Sequence, residues 1–194
     1  QAVRAYNKCY PAHDWEVLAV EEGFEVLVGE VGAPIGPVLG GAFPVPIYLK
    51  GRKDLVVAWH GGIWIVDHKT CQDWGSGDSN SHIDEGRRSF QFKGYAWAER
   101  EQQRKWVPAD PSEEQQPPLR VTLPIRGTIG NYLIARKPYA NPNSTRASAP
   151  RDQFEQFAYP YEDATLDEWR TECLHVAEDI LSSWQRNRWP AHDT

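Results

Sequence analysis

The chain contains no methionine among its 194 residues and begins at Gln1, from which we expect a portion of a longer protein. Cysteine is scarce as well. Cys9, Cys71 and Cys173 stand at unrelated spacings, with no C-x-x-C pair of the kind that holds zinc or exchanges disulfides, so three reduced thiols are expected. No run approaches the roughly 18 consecutive apolar residues of a membrane-spanning helix, and no charged-then-apolar leader opens the chain; no membrane partner and a cytoplasmic setting are expected. Positive charge is short too, at a net −6. That deficit argues against a phosphate-rich partner only until its distribution is read. Residues 1–85 hold 6 basic and 12 acidic groups and residues 152–194 hold 3 and 10, yet Leu119–Arg151 carries six basic residues and no acid. Those six are Arg120, Arg126, Arg136, Lys137, Arg146 and Arg151, and on charge alone they are either a solvated face or a site for phosphates.

What remains is the composition of one globular domain over residues 1–194, with 40% apolar and 25% charged residues. Glu16–Val28 alternates apolar and polar side chains at the period of a half-buried strand. The Gly/Pro-rich run Gly29–Pro46 reads as a loop. Ile47–Thr70 contains two strand-like runs joined at His60-Gly61-Gly62, a glycine turn that predicts a hairpin. Residues 71–85 are polar and predict a loop, and Gly86–Arg104 predicts a helix burying Phe90, Gly94, Trp97 and Ala98. After a Pro/Gln-rich break at 110–118, Arg120–Ile125 and Thr128–Ala135 predict two more strands, and 138–164 an extended surface loop. Thr165 with Glu168 fits a capping box for a last helix, with Trp169, Cys173, Val176, Ile180 and Trp184 on one face as core. The nine tryptophans offer stacking surface for bases, but Trp64, Trp97, Trp169 and Trp184 sit at core periodicities.

The chemistry is concentrated in the hairpin. Alternation puts Ile63, Ile65, Asp67 and Lys69 on one face of its second strand. The hairpin carries Asp54, thirteen residues earlier, to the neighbourhood of Asp67. Two converging carboxylates repel unless a cation lies between them, and all-oxygen ligation suits Mg²⁺ or Mn²⁺. Asp54 and Asp67 can hold such an ion. Lys69 can position a water, offset developing charge or take part in proton transfer. His68 alternates away from Asp67 and can offer a metal only its backbone carbonyl. One helix further on, Gln91 and Tyr95 stand at i and i+4 on a shared face, where they can point at the same site. An Asp–Lys pair two apart on a strand is, by itself, most often a surface ion pair. His60 fits turn chemistry, His82 has no assignable role, and His13 reads as a surface residue.

In order and spacing, GRKD (Gly51–Asp54), VDHKT (Val66–Thr70) and QFKGY (Gln91–Tyr95) resemble the RecB-like exonuclease branch of the PD-(D/E)XK nuclease superfamily, over about 45 residues. The resemblance implies an α/β fold with a mixed central sheet flanked by helices, the restriction-endonuclease-like core. It implies metal-dependent hydrolysis of DNA, single-stranded or at duplex ends, in recombination, repair or phage DNA processing, with recombination or replication proteins as partners. It places Gln91 and Tyr95 close to the catalytic centre and an acid on the strand before the hairpin, for which Glu21 is preferred to Glu22. Relatives take a metal-binding histidine from a helix upstream of that acid, and only twenty residues precede Glu21 here, so an upstream helical segment is expected to be lacking. Many also hold an iron–sulfur cluster. The three cysteines do not form that set unless missing termini complete it.

Two alternatives stay open. One keeps the fold but makes the chain a sequence- or structure-specific endonuclease; the other is a catalytically inactive domain that binds DNA. The intact Asp54, Asp67 and Lys69 argue against the second.

Overall fold

Residues 14–34, 42–72, 86–106, 118–135 and 153–186 are described by a computed structural model. The elements are β1 (Glu16–Pro34), β2 (Ala42–Trp59), β3 (Gly62–Gln72), α1 (Phe90–Arg104), α2 (Leu119–Thr122), β4 (Ile125–Ala135), β5 (Gln153–Pro160) and α3 (Asp163–Gln185). Their five strands form one sheet in the order β1-β2-β3-β4-β5, antiparallel except for the β3–β4 pair. A parallel pair needs a long crossover, and α1 with α2 lies in the connection between β3 and β4. This is the mixed, helix-flanked α/β sheet that the motifs implied.

The hairpin forms where the glycines predict it. His60 and Gly61 both adopt positive φ (47° and 70°), the backbone of a two-residue turn whose twist suits antiparallel strands. From that turn the register runs Trp59↔Gly62 to Leu55↔Val66. Phe24, Val26, Val28 and Ile65 bury one sheet face against Ala96, Trp97 and Ala98 of α1 and Leu166 and Trp169 of α3. Val57, Trp64, Val66 and Ile129 cluster on the other face. Ser89 starts α1 by accepting the Phe92 N–H at 3.2 Å, which satisfies one donor of the first turn.

Several expectations fail for identifiable reasons. The Gly/Pro-rich run is partly strand, because β1 continues to Pro34 and β2 begins at Ala42; the two extensions pair with each other, Pro34↔Ala42 to Glu30↔Pro46. Residues 119–122 are a short helix and not a strand, and Gln103 Nε2 donates to the carbonyls of Arg120 and Leu123 where a ladder partner would have done so. Gln153–Pro160 is an edge strand paired with β4 inside the expected loop. The capping box does not form. Helix α3 begins three residues earlier, at Asp163 with Glu162 as its cap, and Arg100 binds the Asp163 carbonyl and carboxylate (3.1 and 3.0 Å) and the Asp167 carboxylate. The stripe on α3 is core only at its start: Trp169 is buried, while Val176, Ile180 and Trp184 are exposed. Phe90 is likewise half exposed, against the expected burial, but its ring lies 5.1 Å from that of Trp169. Cys173 is a free thiol, pushed up to about 11 by burial and then by Glu172. The expected loops at 73–85 and 110–117, His13, His82, Cys9, the Cys71 side chain and four of the six basic residues of 119–151 lie outside the described residues. No helix among the described residues is long and apolar enough to cross a membrane.

Candidate active site

Strand β3 alternates as its sequence requires. Ile65 enters the core under α1, and Asp67 and Lys69 follow on the same side, Asp67 only 3% exposed. Because Leu55 faces Val66, the next residue outward on β2, Asp54, stands across from Asp67. Asp54 Oδ2 accepts the His68 backbone N–H at 2.9 Å, which fixes its carboxylate against β3. Lys69 Nζ lies 2.9 Å from Asp67 Oδ2 and donates to Gln91 Oε1 at 2.8 Å. Gln91 Nε2 in turn donates to Tyr95 Oη at 2.7 Å. The ammonium also lies 5.8 Å from the centre of the Phe92 ring, and the Tyr95 ring meets Phe24 edge-on at 5.8 Å.

One oxygen of this set is unsatisfied. Asp67 Oδ2 is buried and accepts no hydrogen bond of ordinary geometry, although the Lys69 ammonium, which also donates to Gln91, lies 2.9 Å away as an ion-pair partner. A buried carboxylate in that condition is costly. Burial pushes the Asp67 carboxyl above its ordinary range and Asp54 adds to the rise, against the lowering effect of Lys69 and His68. A divalent cation relieves both the burial and the repulsion between two facing carboxylates. Hard carboxylate oxygens fit a hard divalent cation that keeps several waters and takes few protein ligands. Among the described residues no group of three or more His, Cys, Asp or Glu side chains that could hold a metal comes together.

The sequence matches the family model of the PD-(D/E)XK nuclease superfamily over residues 3–193. The chain belongs to that superfamily. Curated protein sequences give no match. Among solved structures, the chain is similar to one described as the crystal structure of SSO0001, at 12% identity and a TM-score of 0.31. That match covers 90% of this chain and 56% of the other, so the chain spans little more than half of its length. A likeness so distant adds nothing to the fold described above.

Of the residues singled out in this PD-(D/E)XK chain, the structure brings together Asp54, Asp67, Lys69, Gln91 and Tyr95. Glu21 is not brought in. Its side chain is 62% exposed and its carboxylate lies 3.5 Å from Arg52. The sheet departs from strict alternation at this point. Val20 pairs with Leu55 on the face away from α1, whereas Glu22 pairs with Lys53 on the face toward it, although only two residues separate them. The switch occurs at Glu21, whose φ is 51°. Glu22 therefore shares a face with Phe24 but not with Val20, contrary to a simple period of two. His68 is exposed, and its Nδ1 lies 2.9 Å from Asn131 Nδ2, away from the carboxylates.

A group of buried charges next to the site had no sequence signal. Lys53 is completely buried, and its Nζ bonds Glu99, Gln102 Oε1 at 2.7 Å and Glu22 Oε2 at 2.9 Å. Arg120 grips Glu22 with two bonds of 2.7 and 2.6 Å and also binds Glu99. The expectation of Arg120 as part of a free basic face is thereby corrected, because both its neighbours are carboxylates. Composition reports two acids and two bases here. Only packing shows that they meet.

Proposed function

We propose that this chain is a Mg²⁺- or Mn²⁺-dependent deoxyribonuclease that hydrolyses phosphodiester bonds, acting as an exonuclease in DNA recombination, repair or phage DNA processing. The observation that supports it best is the continuous chain from Asp67 through Lys69 and Gln91 to Tyr95 beside the facing carboxylate of Asp54. All three motifs that suggested a RecB-like exonuclease contribute to that chain or flank it.

Asp54, Asp67 and the backbone carbonyl of His68 would hold the cation. When bound, it would supply charge neutralisation at the scissile phosphate and a lowered pKa for the attacking water. Lys69 has a separate task. Held between an anion and a neutral amide, its ammonium presents fixed positive charge where negative charge accumulates in phosphoryl transfer. Gln91 holds that ammonium from a second side, beside its ion pair with Asp67, and by donating to Tyr95 Oη leaves the phenol proton free for a phosphate oxygen. Gly51 enables this packing: a Cβ there would stand 2.9 Å from Phe24 Cζ and 3.5 Å from Tyr95 Cε1.

The test is hydrolysis of end-labelled and circular DNA with Mg²⁺ or Mn²⁺. Release of mononucleotides or short products from linear DNA alone is the expected result, with loss of at least about 10³-fold in Asp67→Ala and Lys69→Ala. Cleavage of covalently closed circles would replace the exonuclease by an endonuclease. No cleavage of any DNA by the wild type, or full activity in both variants, would overturn the nuclease assignment to these residues.

A further inference from the structure

Asp54 stands beside Asp67 at a place where the sheet breaks its own rule. Lys53 and Leu55 face opposite sides of the sheet despite being two residues apart, and the paired strand does the same between Glu22 and Val20. Both switches meet at the Glu21 and Asp54 positions. With uninterrupted alternation from Lys53, the Asp54 side chain would project from the far face, away from Asp67 and Lys69. Something must hold the paired β1 and β2 backbones in this irregular form, because on β1 Glu21, a non-glycine residue at φ 51°, is unfavourable on its own.

The structure assigns that task to the buried Lys53–Glu99 pair: we propose that Lys53 and Glu99 are positioning residues that turn Asp54 onto the Asp67 side. Lys53 directly precedes Asp54, is 0% exposed, and is drawn toward α1 by Glu99 and Gln102. Glu22 closes the cluster from β1, and Arg120 of α2 holds both carboxylates, Glu22 and Glu99, that bind the ammonium. Glu99 lies one helical turn beyond Tyr95, and Gln91 one turn before it. Helix α1 thus grips β3 through Gln91–Lys69 and β2 through Glu99–Lys53, setting the spacing of the two strands that carry the carboxylates. An apolar pair could fill the same volume. It could not supply the directed bonds that hold the backbone at 53–54 in its irregular form.

For Asp54 as a metal ligand this inference rests on the function proposed above; for Asp54 as a placed side chain it does not. The experiment therefore reads both. In Lys53→Met/Glu99→Met one cation and one anion are replaced together, which avoids an uncompensated buried charge and is expected to leave the thermal midpoint near that of the wild type. Lys53→Met alone serves as the destabilised comparison. Amide exchange of His68, whose N–H is bonded by Asp54, is expected to accelerate at least about 10-fold in the double variant, with Ile65 unchanged. Mn²⁺ titration without DNA is expected to show about 10-fold weaker binding. Unaltered His68 exchange in a folded double variant would overturn the positioning role. Accelerated His68 exchange in the double variant, together with a wild type that neither binds Mn²⁺ nor cuts DNA, would instead sink the nuclease proposal and leave the positioning role standing.

Discussion

Gln91 offers a sharp test of the site, because it touches both Lys69 and Tyr95 and yet is exposed. In Gln91→Ala, Lys69 Nζ loses an acceptor at 2.8 Å and Tyr95 Oη loses a donor at 2.7 Å. A hydrogen bond from a charged donor contributes about 1.5–3 kcal/mol and a neutral one about 0.5–1.5 kcal/mol. Water can replace both partners at this surface, so the low end of the sum applies, about 2 kcal/mol. If that energy is realised when Lys69 meets the transition state, kcat falls about 30-fold. Ground-state contacts with DNA are not removed, so KM stays within about 2-fold. The thermal midpoint moves little, since an exposed side chain away from caps and core contributes less than about 0.5 kcal/mol. The assay is steady-state cleavage of end-labelled DNA in Mg²⁺ by wild type, Gln91→Ala, Lys69→Ala and the double variant. If Gln91 acts through Lys69, its loss adds almost nothing once Lys69 is gone. Full additivity in the double variant, or an unchanged kcat in the single one, would refute the link between them.

Two other outcomes follow from the packing and the charges around the site. Gly51→Ala drives a methyl group to 2.9 Å from the buried Phe24 ring, whose edge-on contact with Tyr95 cannot shift freely; calorimetric unfolding should show a loss of about 1–3 kcal/mol, and cleavage should fall with it. The hydrogen bonds from Arg120, joined by Lys53 and opposed by partial burial, hold the Glu22 carboxyl at about 2 against an ordinary 4.5. Because the folded value is the lower one, this stabilisation is complete above pH 4.5 and is lost as pH falls toward about 2. Solvent screening at a 30% exposed side chain reduces it to about 1–2 kcal/mol. Denaturant unfolding from pH 5 to pH 2.5 measures it, and Glu22→Gln should flatten that part of the profile; an identical slope in the variant would contradict the assignment.

The hairpin shows how much of the site a one-dimensional pattern can carry. Its glycine turn and the alternation of Ile63, Ile65, Asp67 and Lys69 are local properties, and once the turn forms, antiparallel pairing brings Asp54 level with Asp67, though not by itself onto the same face. The i, i+4 spacing of Gln91 and Tyr95 is local in the same sense. The capping box at Thr165 was legible too, but misleading, because Arg100, 63 residues from Asp163, outcompetes it for the start of α3. Strand β5 was missed for a similar reason: an edge strand needs only a partner, and its partner β4 is remote in sequence.

Local pattern suffices for the hairpin, the strand face carrying Asp67 and Lys69 and the helix face carrying Gln91 and Tyr95, because each depends on residues within a few positions of one another, and the order of the three motifs along the chain carries the superfamily. Packing in three dimensions is what turns Glu21 to solvent, brings Glu22 and Arg120 together as an ion pair and buries Lys53 against Glu99. Those outcomes are set by contacts between residues 21 to 98 positions apart. Burial removes the water that would otherwise separate such charges, and no periodicity in the chain announces which of them will meet.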